Sequence, residues 1–207
     1  MTSHLNVVAS RSRPRAEKVK TSRREGMLQA VMRSFSTSRL VLRPLCEDDA
    51  ELLFRLNQDE EVARLMPRTR HTNITESQQL LDRLLAQQSA GTAAWWTLLE
   101  QGRPIGTVGF PRINRSEQTA QLAYELVRDR WGLGLAQEAV AAVVELAFGE
   151  LELVRIVADV DELNVRSARL AERLGFVCEK RFDEIIDGEA RRSRLYVRVS
   201  PTVESHA

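Results

Sequence analysis

Cysteine, histidine, lysine and long apolar runs are all scarce in this chain. Two cysteines, Cys46 and Cys178, give neither a disulfide framework nor a CxxC pair, and three scattered histidines cannot gather a metal set, so a structural zinc protein is excluded. The longest apolar stretch, around Ala139 to Phe148, is broken by Glu145 and falls far short of the roughly 20 residues that cross a bilayer. Lysine supplies only 3 of the 30 basic residues, a skew that suits a GC-rich bacterial genome and answers no physical demand. No Gly-Lys-Ser/Thr triplet occurs, which disfavours a Walker-type ATP or GTP loop. What is present is 207 residues with 43% hydrophobic and 29% charged content, the composition of one ordinary globular domain without a membrane helix.

The net charge of +1 hides an asymmetry. Between Met1 and Ser34 eight Lys or Arg face two acids, a net of +6, which leaves −5 on the rest. This segment lacks aromatic residues and apolar runs, so residues 1–34 read as a disordered basic leader. A targeting arm or an RNA-binding tail is the sharper reading, and translation starting at Met27 or Met32 the plainer one. Residues 35–200 read as the folded domain, and 201–207 as a disordered tail. Strands are expected at Arg39–Leu45, Ala94–Glu100, Ile105–Ile113, Gln118–Val127, Leu153–Val160, Phe176–Ile186 and Arg191–Val199. Helices are expected after Asp48-Asp49 to near Gln58, from Thr75 to Gly91, from Gly134 to Phe148 and from Val165 to Leu174. The class is α/β in the α+β sense: a mixed, mostly antiparallel seven-stranded sheet with helices on both faces.

Two segments carry chemistry. In Trp131-Gly-Leu-Gly-Leu-Ala136 a strand ends, Gly132 and Gly134 allow close backbone approach, and a helix begins at once with its unpaired amides and positive dipole end outward. That pattern describes an anion cradle. A dinucleotide fingerprint would need a third small residue where Gln137 stands, so NAD is disfavoured. Further on, Asn164 suits a helix N-cap and Gly175 a C′ position, with Ser167 in the first turn between them.

In this order the segments resemble the GNAT superfamily of acetyl-CoA-dependent N-acetyltransferases, and within it the RimJ/RimL-like branch. The resemblance spans about Thr37 to Val199 and includes Leu40-Val-Leu-Arg-Pro-Leu45, Asp48-Asp49-Ala50, Gly106-Thr-Val-Gly109, Trp131 to Ala136, and Asn164 to Phe176. It implies acetyl-CoA as co-substrate, without a metal. The amides of Gly132, Leu133, Gly134, Leu135 and Ala136, beside Trp131, would receive the pyrophosphate. It implies a splayed parallel strand pair, Gln118–Val127 with Leu153–Val160, between which pantetheine bonds the backbone of Leu126 and Val127 and the side chain of Asn164. Many members place a tyrosine seven positions after this Asn, where Ala171 stands here; Ser167 is the branch's alternative beside the sulfur.

Transfer to an amine needs a proton acceptor, and Glu125, on the strand entering the loop, is the candidate. Its bland alternative is a solvated strand carboxylate. Glu138 is explained by the helix dipole. Trp95 and Trp96 must point to opposite faces, one into the core and the other toward the acceptor; Tyr124 and Tyr196 read as packing residues. Arg166, Arg169 and Arg173 form a basic helix face, read as solvated. The expected acceptor is a primary amine, foremost a ribosomal or other protein N-terminus in the cytoplasm, with no role for DNA or membrane. Alternatives are a small-amine acetyltransferase acting on a polyamine, amino acid or aminoglycoside, and an acyl-CoA-binding module without turnover.

Overall fold

The computed structural model describes residues 31–65, 70–186 and 189–201. Among these residues eight strands are formed: β1 (Phe35–Ser36), β2 (Val41–Pro44), β3 (Ala94–Glu100), β4 (Arg103–Asn114), β5 (Thr119–Leu126), β6 (Arg155–Asp161), β7 (Val177–Ile186) and β8 (Glu189–Val199). They make one mixed sheet in the order β1-β2-β3-β4-β5-β6-β8-β7. Among the described residues only the β5–β6 pair is parallel. The count is eight rather than the expected seven because Phe35 and Ser36 pair with Leu42 and Val41 at the edge. Two residues carry no period for a sequence pattern to expose.

Helix boundaries fall where side chains and backbone interrupt the apolar periodicity. Helix α1 (Ala50–Gln58) ends at Asp59, whose extended backbone breaks the run. The Asp59 carboxylate then accepts the Glu61 and Val62 amides and so starts a separate short helix, α2 (Glu60–Ala63). Asn73 caps α3 (Ile74–Ser89) by accepting the Glu76 amide. Two further helices, α4 (Leu135–Gly149) and α5 (Val165–Arg173), follow β5 and β6.

Strand alternation sorts these helices onto two faces. Thr97 Oγ1 donates to Asp49 Oδ2 at 2.8 Å, which places the α1 side, with α3 packed on it, over one face. Arg198 reaches Glu145 on α4 at 3.3 Å and Tyr196 reaches Glu172 on α5 at 3.0 Å from the other. Leu52, Leu53, Leu56 and Leu81 fill the α1 side of the core, and Val140, Val143, Val144 and Ala147 the α4 side. Each of these leucines and valines contributes about 1.5–3 kcal/mol on burial.

The folded unit starts before position 35, contrary to the expected leader boundary. Val31 is buried in the core cluster, Arg33 makes a two-pronged ion pair with Glu150 at 2.7 and 2.8 Å, and the Trp96 indole donates to the Arg33 carbonyl at 3.2 Å. Residues 1–30, Met27 among them, and 202–207 lie outside the described residues. Among the described residues no helix is long and apolar enough to cross a membrane.

Candidate functional site

The parallel strands β5 and β6 pair at only three positions, Thr119 with Arg155, Ala120 with Ile156 and Gln121 with Val157. Beyond Gln121 they diverge, and the Gln121 side chain crosses to Asp159 Oδ2 at 2.8 Å just where pairing stops. The result is a wedge-shaped gap between the C-terminal halves of the two strands, with unpaired strand backbone on its β5 side. Val127 donates its amide to Ile105 on β4 and accepts the Arg130 amide on its carbonyl. Alternation therefore turns the backbone of Leu126, and not that of Val127, into the gap. The expectation that Val127 binds an added strand is corrected on this ground: its amide is already committed. The Leu126 carbonyl accepts the Trp131 indole N–H at 2.8 Å, and Arg166 from α5 stacks on that indole at 5.3 Å. Arg166 thus has a partner and is not simply a solvated residue.

At the mouth of the gap lies the Gly132–Ala136 loop. Gly132 has φ +80° and Gly134 φ +77°, the left-handed region that L side chains avoid. Gly134 is the N-cap of α4 and provides no side chain to cap it. Glu138 is the first residue to donate back, to the Gly134 carbonyl at 3.1 Å, and no acceptor among the described residues meets the amides from Gly132 to Gln137. A row of outward N–H groups at a helix start is the donor set an anion requires, so the loop fits a pyrophosphate.

This loop is held by a contact that sequence reasoning missed. Glu138 accepts from Thr37 Oγ1, Ser38 Oγ, the Arg39 amide and Arg39 Nε, and Arg39 Nη1 also donates to the Leu133 carbonyl at 2.8 Å. Burial works against the Glu138 charge, but the hydrogen bonds from Thr37, Arg39 and Ser38 outweigh it and hold its pKa at about 2, against 4.5 ordinarily. A carboxylate whose pKa falls on folding stabilises the fold above its unfolded pKa and loses that contribution as pH drops toward the folded value. The melting-temperature gap between wild type and Glu138→Gln is therefore expected to be constant above about pH 4.5 and to close as pH approaches 2. Thermal melts across that range check it; a gap independent of pH would refute the clamp.

Glu125 is only 7% exposed, so it is not a solvated strand carboxylate. It ends a row of polar side chains crossing four strands in register: Arg43 beside Thr97, Thr97 beside Thr107, Thr107 beside Glu125. Thr107 Oγ1 donates to Glu125 Oε1 at 3.3 Å. At the other end Asp49, almost fully buried, receives Arg43 Nη2 and Thr97 Oγ1, both at 2.8 Å, and the Cys46 amide at 2.9 Å. The row fixes Glu125 on the α1 face, one residue before the end of β5.

On the α4 face of the gap Asn164 caps α5, its Oδ1 accepting the Ser167 amide at 3.0 Å. This use of the oxygen leaves the Asn164 Nδ2 donor available. Ser167 Oγ lies 3.0 Å from the Tyr124 hydroxyl, a pairing the sequence reading of Tyr124 as packing did not foresee. Burial raises the Tyr124 phenol pKa, with the Ser167 hydrogen bond and the Arg173 charge acting the other way. Ala171 is buried and offers no acid. Trp95 and Trp96 are both buried: Trp96 fills the α4 side, while Trp95, 6% exposed, faces the α1 side, its Nε1 unpartnered among the described residues. Among the described residues no group of His, Cys, Asp and Glu is placed to hold a metal.

A family model described as an acetyltransferase (GNAT) domain matches residues 39–177. The uncharacterized N-acetyltransferase p20 of Bacillus licheniformis is 32% identical over 147 residues, 70% of this chain and 83% of that protein. In fold, the chain is similar to a ribosomal-protein-S5-alanine acetyltransferase from Vibrio fischeri, with TM-score 0.72, 22% identity, and coverage of 81% of this chain and 97% of that one. It is also similar to RimL, a ribosomal L7/L12 α-N-protein acetyltransferase, with TM-score 0.70, 20% identity, and coverage of 79% and 91%.

Proposed function

From the premise that this chain belongs to the GNAT family of acetyltransferases, we propose that it acetylates the α-amine of a protein or peptide, as the RimJ/RimL-like branch does. It is an acetyl-CoA-dependent N-acetyltransferase. The observation that carries the site assignment is the β5–β6 gap, which has the Leu126 amide turned into it and an amide cradle at its mouth. The protein-acceptor reading is supported by likeness of fold to two enzymes named for ribosomal proteins.

When bound, acetyl-CoA supplies an acetyl thioester already activated toward amines. The chain's residues do the rest. Amides from Gly132 to Gln137 would hold the pyrophosphate, the Leu126 amide would orient the pantetheine arm, and Asn164 Nδ2 would donate to that arm. Glu125, on the α1 face, takes a proton from the incoming amine, and Ser167, on the α4 face, attends the sulfur.

Asn164 separates capping from binding. Asn164→Asp keeps an oxygen for the Ser167 amide and loses the Nδ2 donor, so the KM for acetyl-CoA is expected to rise about fivefold to tenfold with the melting temperature unchanged. Asn164→Ala is expected to raise the KM equally and also cost about 1 kcal/mol of stability. Steady-state kinetics and thermal melts read both; a KM unchanged in Asn164→Asp removes this residue from the binding site.

The function itself is tested by thiol release from acetyl-CoA with the full chain, using peptides with free N-termini, N-blocked lysine peptides, polyamines, amino acids and aminoglycosides as acceptors. Turnover on free peptide N-termini alone supports the reading. Turnover confined to small amines replaces it with a small-molecule acetyltransferase, and tight acetyl-CoA binding with no turnover replaces it with a binding module.

A further inference from the structure

The gap between β5 and β6 has a different polar group on each face. On the α1 face stands Glu125, and on the α4 face stands a pair of hydroxyls, Tyr124 Oη and Ser167 Oγ, 3.0 Å apart. Tyr124 is on the β5 side, within the stretch where β5 has already left β6, and Ser167 is in the first turn of α5, the helix that follows β6. The pair therefore joins the two elements that the gap separates.

A hydroxyl carries one hydrogen, so direction matters in such a pair. A phenol is a far stronger acid than an alcohol, and Tyr124 is accordingly the donor and Ser167 Oγ the acceptor. Donation by Tyr124 has two consequences. It leaves the Ser167 hydrogen uncommitted, since Ser167 Oγ has no other partner among the described residues. It also strengthens Ser167 as a donor, because an oxygen that accepts a hydrogen bond polarises its own O–H. The backbone of Ser167 is fixed independently by the Asn164 cap at 3.0 Å, so the phenol sets the hydroxyl's rotamer on an already rigid turn. The second phenol on this face, Tyr196, is occupied with Glu172 at 3.0 Å and cannot substitute for it.

We propose that Tyr124 is a positioning residue for the leaving group: its O–H holds Ser167 so that the Ser167 O–H donates to the sulfur as the acetyl group departs. This rests on the reading of the gap as the acetyl-CoA site. In the step, the amine nitrogen forms a bond to the acetyl carbon and the C–S bond breaks with its electron pair on sulfur. The nitrogen sheds two protons, the ammonium proton before attack and a second as the amide forms, and each goes to Glu125 and from there to solvent. The sulfur anion is held by the Ser167 hydrogen bond until coenzyme A is released and protonated by solvent. Tyr124 keeps its proton throughout.

The test is a double-mutant cycle with two leaving groups. Tyr124→Phe retains the ring and its packing, and is expected to lower kcat about tenfold while the KM for acetyl-CoA changes less than about twofold. Ser167→Ala is expected to cost as much, and the double variant no more than Ser167→Ala alone, because the two hydroxyls act as one unit. With acetyl-seleno-coenzyme A, whose selenolate is a much more stable anion, the Tyr124→Phe loss is expected to shrink below about threefold. A packing role would not depend on the leaving atom. Unchanged kcat in Tyr124→Phe or Ser167→Ala, fully additive losses, or an equal loss with both leaving groups would each overturn the proposal. Failure of the underlying site reading shows differently, as absence of acetyl-CoA binding by the wild-type chain in calorimetry.

Discussion

Gly134→Glu is expected to weaken acetyl-CoA binding by at least about 100-fold while leaving the fold in place. Two effects combine. At φ +77° any side chain is strained, by about 1–2 kcal/mol, and part of that strain would be relieved by rotating the very amides that form the cradle. The new carboxylate also sits among those amides, where it would face the pyrophosphate as a like charge; at a separation of about 4 Å and an effective dielectric near 20 that repulsion approaches about 4 kcal/mol. The protein itself does not object sterically, because a Cβ at this position meets only Arg39 Nη2, at 3.5 Å. Gly134→Ala isolates the backbone contribution and is expected to cost about fivefold to tenfold. Calorimetric titration of acetyl-CoA into both variants, with melts to confirm folding, gives the comparison. Wild-type affinity in Gly134→Glu would remove the loop from the site.

The contrast between local and long-range features explains what the sequence disclosed. The loop and the Asn164 cap were legible because each is a short-range pattern: Gly132 and Gly134 sit at the strand-to-helix turn itself, and Asn164 acts on an amide three residues away. Helix α1 and strand β3 were likewise bounded by period and turn residues within a few positions. The contacts that hold the site are of another kind. Arg39 meets Glu138 across 99 positions, Tyr124 meets Ser167 across 43, and Asp49 meets Thr97 across 48. Each depends on sheet order and register, which a single sequence does not specify. Glu138 shows the cost of reasoning locally: the helix dipole accounts for a carboxylate in the first turn, and so nothing in the pattern hinted at four donors arriving from the β1–β2 connection. Val127 shows the same limit at the scale of one residue, since which of two adjacent backbones faces the gap follows from the β4–β5 register alone. Glu125 was named from its position beside the loop. That it is buried, and secured by Thr107, came from register again.

Glu125→Gln is the second variant with a large expected effect, and it follows from that placement. Gln has the shape of Glu, and Thr107 Oγ1 can still donate to its side-chain oxygen, so the polar row from Arg43 inward survives and acetyl-CoA binding, which takes place at the loop and the gap edge, is expected to be unchanged. What is lost is the proton acceptor on the α1 face. An α-amine with a pKa near 7.7–8.0 is largely protonated at pH 7 and cannot attack until it sheds a proton, so kcat is expected to fall about 10²–10⁴-fold at that pH. The deficit has a direction with pH. As pH rises above the amine's own pKa, bulk solvent removes the proton that Glu125 would have taken, and the ratio of wild-type to variant activity should narrow steadily toward pH 9. A purely structural role would instead lower melting temperature and cofactor affinity and leave the ratio flat with pH. Kinetics of both proteins on a peptide acceptor from about pH 6.5 to 9, beside calorimetry with acetyl-CoA, decide between them: a wild-type kcat at pH 7 means that the amine loses its proton elsewhere, and a pH-dependent loss confined to kcat means that Glu125 is the base.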